Sequence, residues 1–137
     1  MTGKEEKFFE VLREYTGYCE KAGALLDSVV SGETDPEEGY ESLRLLKRQS
    51  RDVQGRLIER LYKAYREPAY ANEARSMVVR MDGIINGAKD IVNTLIVYHK
   101  EETCPEGIHV MTKLIRCAVS EMVKIIGYTD DVEANLM

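Results

Sequence analysis

The chain has 137 residues, of which 44% are hydrophobic and 31% charged. That length holds one domain, and that balance excludes a disordered chain. The net charge of −5 argues against a general nucleic-acid binder, which carries a basic face. Only 3 prolines and 10 glycines interrupt the chain, and it has no tryptophan, so long helices are favoured over many short strands. The three cysteines, Cys19, Cys104 and Cys117, are odd in number and lack CxxC spacing. Neither a disulfide framework nor a structural zinc site is expected, and a reducing cytoplasm is the simplest setting. The opening Met-Thr-Gly-Lys-Glu-Glu-Lys has no apolar core, so no signal peptide is expected. The longest apolar stretch, Ile91 to Tyr98, contains Asn93 and Thr94 and is too short to cross a bilayer. No direct membrane insertion is expected; any peripheral place at the inner membrane runs through a partner.

The first helix is predicted from about Lys4 to Ser31. Phe8, Leu12, Tyr15, Cys19, Ala22, Leu26 and Val29 recur at the three-to-four spacing of an amphipathic helix. Thr2 with Glu5 fits a capping box, and Gly32 stops the helix. The second is predicted over 36–66. Asp35 suits its N-cap, Pro36 its first turn, and Glu37 and Glu38 the positive end of the helix dipole. Leu43, Leu46, Ser50, Val53, Leu57, Leu61 and Ala64 then keep a near-heptad stripe.

Pro68 breaks the pattern, and a third helix is predicted over 71–99. Its stripe is Ala74, Met77, Met81, Ile84, Ala88, Ile91, Leu95 and Tyr98. The fourth is predicted over 104–126, opened by Thr103 and Glu106 at capping-box spacing and closed by Gly127. It carries Ile108, Met111, Leu114, Cys117, Ala118, Met122, Ile125 and Ile126. Four such helices on short turns predict an all-α, antiparallel up-down four-helix bundle. It forms a single domain over 1–128, with 129–137 as a frayed acidic tail.

Three constellations could carry chemistry. From Arg44 to Arg66 the second helix holds eight bases: Arg44, Lys47, Arg48, Arg51, Arg56, Arg60, Lys63 and Arg66. They spread over more than half the wheel without interleaved aromatics, which reads as a solvated face more than a phosphate-binding one. Asp82, Asn86 and Asp90 follow one another at i, i+4 on the third helix, flanked by Gly83 and Gly87. Oxygens one turn apart can share a hard cation, and the glycines would admit a close neighbour; taken alone, the residues read more readily as an exposed polar face with a tight helix crossing. His99, Cys104 and His109 match no common zinc spacing. No nucleophile motif or glycine-rich phosphate loop occurs, so no catalytic residue is assigned.

The order of features resembles the PhoU-like Pit accessory family. Lys7-Phe8-Phe9-Glu10-Val11-Leu12-Arg13-Glu14-Tyr15 is similar to its opening helix, "KFFELLEEY". Arg48-Gln49-Ser50-Arg51-Asp52, with Ile58, Leu61 and Glu67-Pro68, follows its second-helix pattern. Pro68 to Ala74 and Met81-Asp82-Gly83-Ile84-Ile85-Asn86 stand where the family has "PFDREDI" and "LDDIxD". The resemblance covers about residues 7 to 98. It implies a PhoU-like fold and a cytoplasmic, non-enzymatic role in inorganic phosphate transport, through docking on a transporter or signalling protein. It also implies a residual site for a divalent or trivalent metal ion at Asp52, Glu73, Asp82, Asn86 and Asp90. Two positions depart from the family's acid pairs: Arg48 stands opposite Asp52, and Asn86 opposite Asp82. Arg48 and Asp52 would sooner form an ion pair than chelate. A structural adaptor bundle that has lost metal binding is the alternative, and a metal-dependent bundle hydrolase of phosphate compounds a third. The family is longer, so this chain is expected to self-associate, at least as a dimer.

Overall fold

The structure, a computed structural model, describes residues 2–98 and 106–136. It contains four helices: α1 (Gly3–Val30), α2 (Pro36–Ala64), α3 (Pro68–Tyr98) and α4 (Glu106–Leu136). The predicted caps form. The Thr2 side chain accepts from the Glu5 amide at 3.2 Å, and Asp35 accepts from the Glu38 amide at 3.3 Å. Gly32 adopts φ +86°, the left-handed conformation that ends α1. There the Gly32 amide donates to the Val29 carbonyl and the Glu33 amide to the Ser28 carbonyl, a Schellman closure.

Two boundaries differ from the sequence reading. Pro68 stands at the expected break between α2 and α3, but α3 begins on it and not near 71, as α2 begins on Pro36; a first-turn proline forfeits no helical hydrogen bond. The fourth helix runs on through Gly127 to Leu136, across the tail expected to fray. A helical glycine costs only about 1 kcal/mol, and it stops a helix only when it turns left-handed. Among the described residues Gly32 alone does so. The Thr103 cap, His99 and Cys104 lie outside the described residues.

Helix α1 packs against all three others, α2 packs on α3, and α4 makes its extensive contact with α1. Phe8 meets Tyr65 edge-to-face, Glu14 pairs with Arg56, and Val29 meets Gly39, so α2 returns along α1. Tyr15, Cys19, Ala22 and Leu26 of α1 and Leu43, Leu57 and Leu61 of α2 are fully buried. In α3 the buried set is Ala71, Val78, Met81, Ile85, Ala88, Val92 and Leu95. Met81, Ala88 and Leu95 of the predicted stripe are buried, while Val78, Ile85 and Val92 take the places expected of Met77, Ile84 and Ile91. Ile84-Ile85 and Ile91-Val92 are adjacent apolar pairs, and packing on α1 and α2 selects the second of each. Ile84 and Ile91 are half-buried and Met77 is exposed. The buried hydroxyls of Thr16, Ser50 and Thr112 each donate to a carbonyl of their own helix at 2.8 Å, so they sit in apolar stripes without an orphaned donor.

Gly39 marks a close approach of α2 to α1. A Cβ there would fall on Cγ2 of buried Val29. Alanine normally favours a helix over glycine by about 1 kcal/mol. Gly39→Ala is expected instead to destabilise, by roughly 1–2 kcal/mol of overpacking strain, measured as a lower denaturation midpoint in guanidinium.

Candidate functional site

The principal polar cluster in the core lies where α1, α2 and α3 meet. Each member flanks an apolar stripe or belongs to one. Tyr15 stands in the α1 stripe, Lys47 follows Leu46, and Asp82 follows Met81. Burial of the three apolar stripes therefore brings a phenol, an ammonium and a carboxylate together.

The Asp82 carboxylate is the hub. Tyr15 Oη donates to its Oδ1 at 3.2 Å, and Lys47 Nζ forms an ion pair with the same oxygen. Asn86 Nδ2 donates to Oδ2 at 3.2 Å. The Lys47 and Asp82 side chains are 12% and 20% exposed, so the pair is largely shielded from water. One turn along α1, the Cys19 thiol contacts the Met81 carbonyl at 3.6 Å. Burial, and then the Asp82 charge, pushes the Tyr15 phenol well above its ordinary value. The same two causes push the Cys19 thiol up to about 12. Cys19 is thus held as a buried neutral thiol and is unsuited to nucleophilic chemistry.

Of the residues singled out for metal, Asp82 and Asn86 come together. Glu73 lies nine residues before Asp82 and Asp90 eight after it, about 13 and 12 Å along the helix axis. Both are exposed, as is Asp52 on α2. Among the described residues, no group of three or more histidines, cysteines or acids is placed to hold a metal ion. A cation arriving at Asp82 would have to displace the Lys47 ammonium and two further donors. No ion pair joins Arg48 to Asp52 among the described residues. Gly83 and Gly87 have open space beside them, with no close neighbour among the described residues.

The basic run of α2 is broken up by acids. Arg44 pairs with Glu41, Arg56 with Glu14, Lys63 with Glu59, and Lys47 with Asp82. The first three are exposed pairs of the kind that contributes about 0–1 kcal/mol each.

The sequence reading missed Lys47 and Tyr15 as partners of Asp82. A signal was present. Lys47 and Asp82 each directly follow a core position in a heptad stripe, the flanking place where opposite charges on facing helices meet. A tyrosine inside an apolar stripe also needs a partner for its hydroxyl. Compared with known proteins, the chain matches no family model, no curated protein and no solved structure.

Two expectations follow. Lys47→Met strands the Asp82 carboxylate and should cost roughly 3 kcal/mol, whereas a double change with Asp82→Asn should recover much of it; denaturant melts of the three proteins measure this. Stability should also fall as pH rises. Below the ordinary thiol value of 9.0 and phenol value of 10.0, Cys19 and Tyr15 are neutral in both folded and unfolded chains. Above those values the unfolded chain releases protons that the folded chain keeps, and stability drains away. Thermal melts across that range should show the fall, and Tyr15→Phe should make it shallower.

Proposed function

We propose that the chain is a non-enzymatic accessory protein that works by protein docking, in a form that needs no metal ion. Its folding class would be the up-down antiparallel bundle of the PhoU-like proteins, and its role would be in inorganic phosphate transport, on a transporter or signalling partner. The ordered resemblance from Phe8 to Asn86 supports the link to phosphate. The contact that carries the metal-independent form is Lys47 on Asp82. A lysine ammonium supplies there the positive charge that a metal ion would bring to the carboxylate, and Tyr15 and Asn86 fill further acceptor positions. Hard cations take six or more oxygen ligands, and the hub offers one carboxylate whose lone pairs are largely engaged. The same contact favours the adaptor reading, in which metal binding has been lost and docking kept. No helix among the described residues is long and apolar enough to cross a membrane, so a partner would provide any attachment to one.

Calorimetric titration with magnesium, manganese and ferric ions should give no saturable heat at millimolar concentration. A stoichiometric heat that disappears in Asp82→Asn would overturn the metal-independent form. Deleting the gene in the source organism should change inorganic phosphate uptake. Unchanged uptake would remove the phosphate link and leave an adaptor of another pathway.

A further inference from the structure

Where α1 starts and α2 finishes, the two helices enclose an open hollow of about 630 Å3. Small-molecule sites measure about 300–1,000 Å3. The charge of this hollow is one-sided. Lys4 and Lys7 line it from α1, Lys63 from the last turn of α2, and Arg66 from the linker that follows. The remaining lining residues are small and uncharged, and no carboxylate is among them.

The chain as a whole carries −5, so four bases around one hollow run against its general charge. The acids close by in sequence are directed elsewhere. Burial, and then the Glu5 charge, pushes the Tyr65 phenol up, which places Glu5 on the Tyr65 side of α1. Glu6 lies roughly 130° around the helix from the face of Lys4 and Lys7. Glu59 pairs with Lys63 at 3.0 Å, but both side chains are more than half exposed, and such a pair yields readily to a stronger anion. At the other end of the α1–α2 hairpin the sign reverses, with Glu33, Asp35, Glu37 and Glu38 at the turn.

A solvated helix face accounts for half of the cluster. Lys63 suits the negative end of the α2 dipole. The α1 dipole works against Lys4 in its first turn. Lys4 and Lys7 share one face of α1, and folding sets that face beside Lys63 and Arg66. Four converging like charges repel one another unless an anion sits among them.

The lining also selects the anion. No aromatic ring borders the hollow, since Tyr65 packs edge-to-face on Phe8. A nucleobase would find no platform to stack on. A lone carboxylate or orthophosphate engages few of the four bases. A group bearing several phosphates offers oxygens to all of them, and ammonium and guanidinium ions both bind phosphate through charge-assisted hydrogen bonds.

We propose that this hollow binds a compact group carrying several phosphates, either free in solution or as the headgroup of a lipid. The site needs only the paired ends of α1 and α2, and it stands whether or not the protein serves phosphate transport.

Calorimetric titration of the full chain with tripolyphosphate, and with inositol hexakisphosphate, tests it. One saturable site is expected, weakening as salt is raised. Lys7→Glu and, separately, Arg66→Glu should each lower the affinity about tenfold or more. Arg51→Glu makes the same charge change on α2 outside the hollow and should leave the affinity unchanged. All three side chains are exposed, so helical circular dichroism should not change. Cosedimentation with phosphatidylcholine vesicles carrying phosphatidylinositol bisphosphate assigns the lipid source, and binding of the soluble anions alone assigns the free one. No saturable heat with either anion and no cosedimentation overturns the proposal. Binding that either Lys7→Glu or Arg66→Glu leaves intact overturns it as well, as does equal weakening by Arg51→Glu, the mark of diffuse attraction to the basic run.

Discussion

Helix α1 must be covered on two sides, and the arrangement of the other helices follows from that. Its buried positions come in adjacent pairs, Val11-Leu12, Tyr15-Thr16, Ala22-Gly23 and Val29-Val30. The apolar arc is therefore wider than one neighbour can cover. Tyr15 and Cys19 turn toward α3, where Asp82 and the Met81 carbonyl receive them. Gly23 lies under the Arg116 side chain of α4. The hydrophobic effect has no direction of its own, so it is the width of this arc that draws helices to both flanks. The α1–α2 hairpin, α3 and α4 are all seated by one element.

Within that frame the Asp82 hub adds direction. Apolar stripes can slide or rotate past one another by a fraction of a turn at modest cost. A carboxylate receiving donors from Tyr15, Lys47 and Asn86 joins three helices at a single point. The ion pair does not have to be a net source of stability to do this. Desolvating two charges costs nearly as much as their attraction returns, and the penalty falls on arrangements that separate them. The same balance separates this site from a metal centre. A fixed ammonium on a tethered side chain delivers one positive charge at one oxygen, with no open coordination position to offer a ligand.

The fold was legible in the sequence because its signals are local. Thr2, Gly32, Asp35 and Pro36 mark helix ends by capping chemistry, and the stripes of α1 and α2 recur at helical spacing in residues that are buried. The errors share a physical origin. Pro68 and Gly127 carry opposite meanings depending on backbone position, and residue identity alone does not give position. In α3, paired apolar residues at 84–85 and 91–92 supported two faces, and only the neighbours decide between them. The site was half legible. Asp82 and Asn86 lie one turn apart and were seen together. Lys47 and Tyr15 reach Asp82 across 35 and 67 residues; periodicity within one helix marks their flanking or striped places but not which helix they face. Glu73, Asp52 and Asp90 carry a carboxylate as Asp82 does but are exposed.

That α4 has a single extensive neighbour bears on how the molecule opens. Elements of a small domain detach in order of the apolar area holding them, and those with one interface release at a lower free energy than the global unfolding step. In an isolated chain, α4 can lift from α1 while the α1–α2–α3 unit keeps the Asp82 hub closed. The amides of α4 would then exchange with solvent through that partial opening, and those of α1 only when the whole chain unfolds.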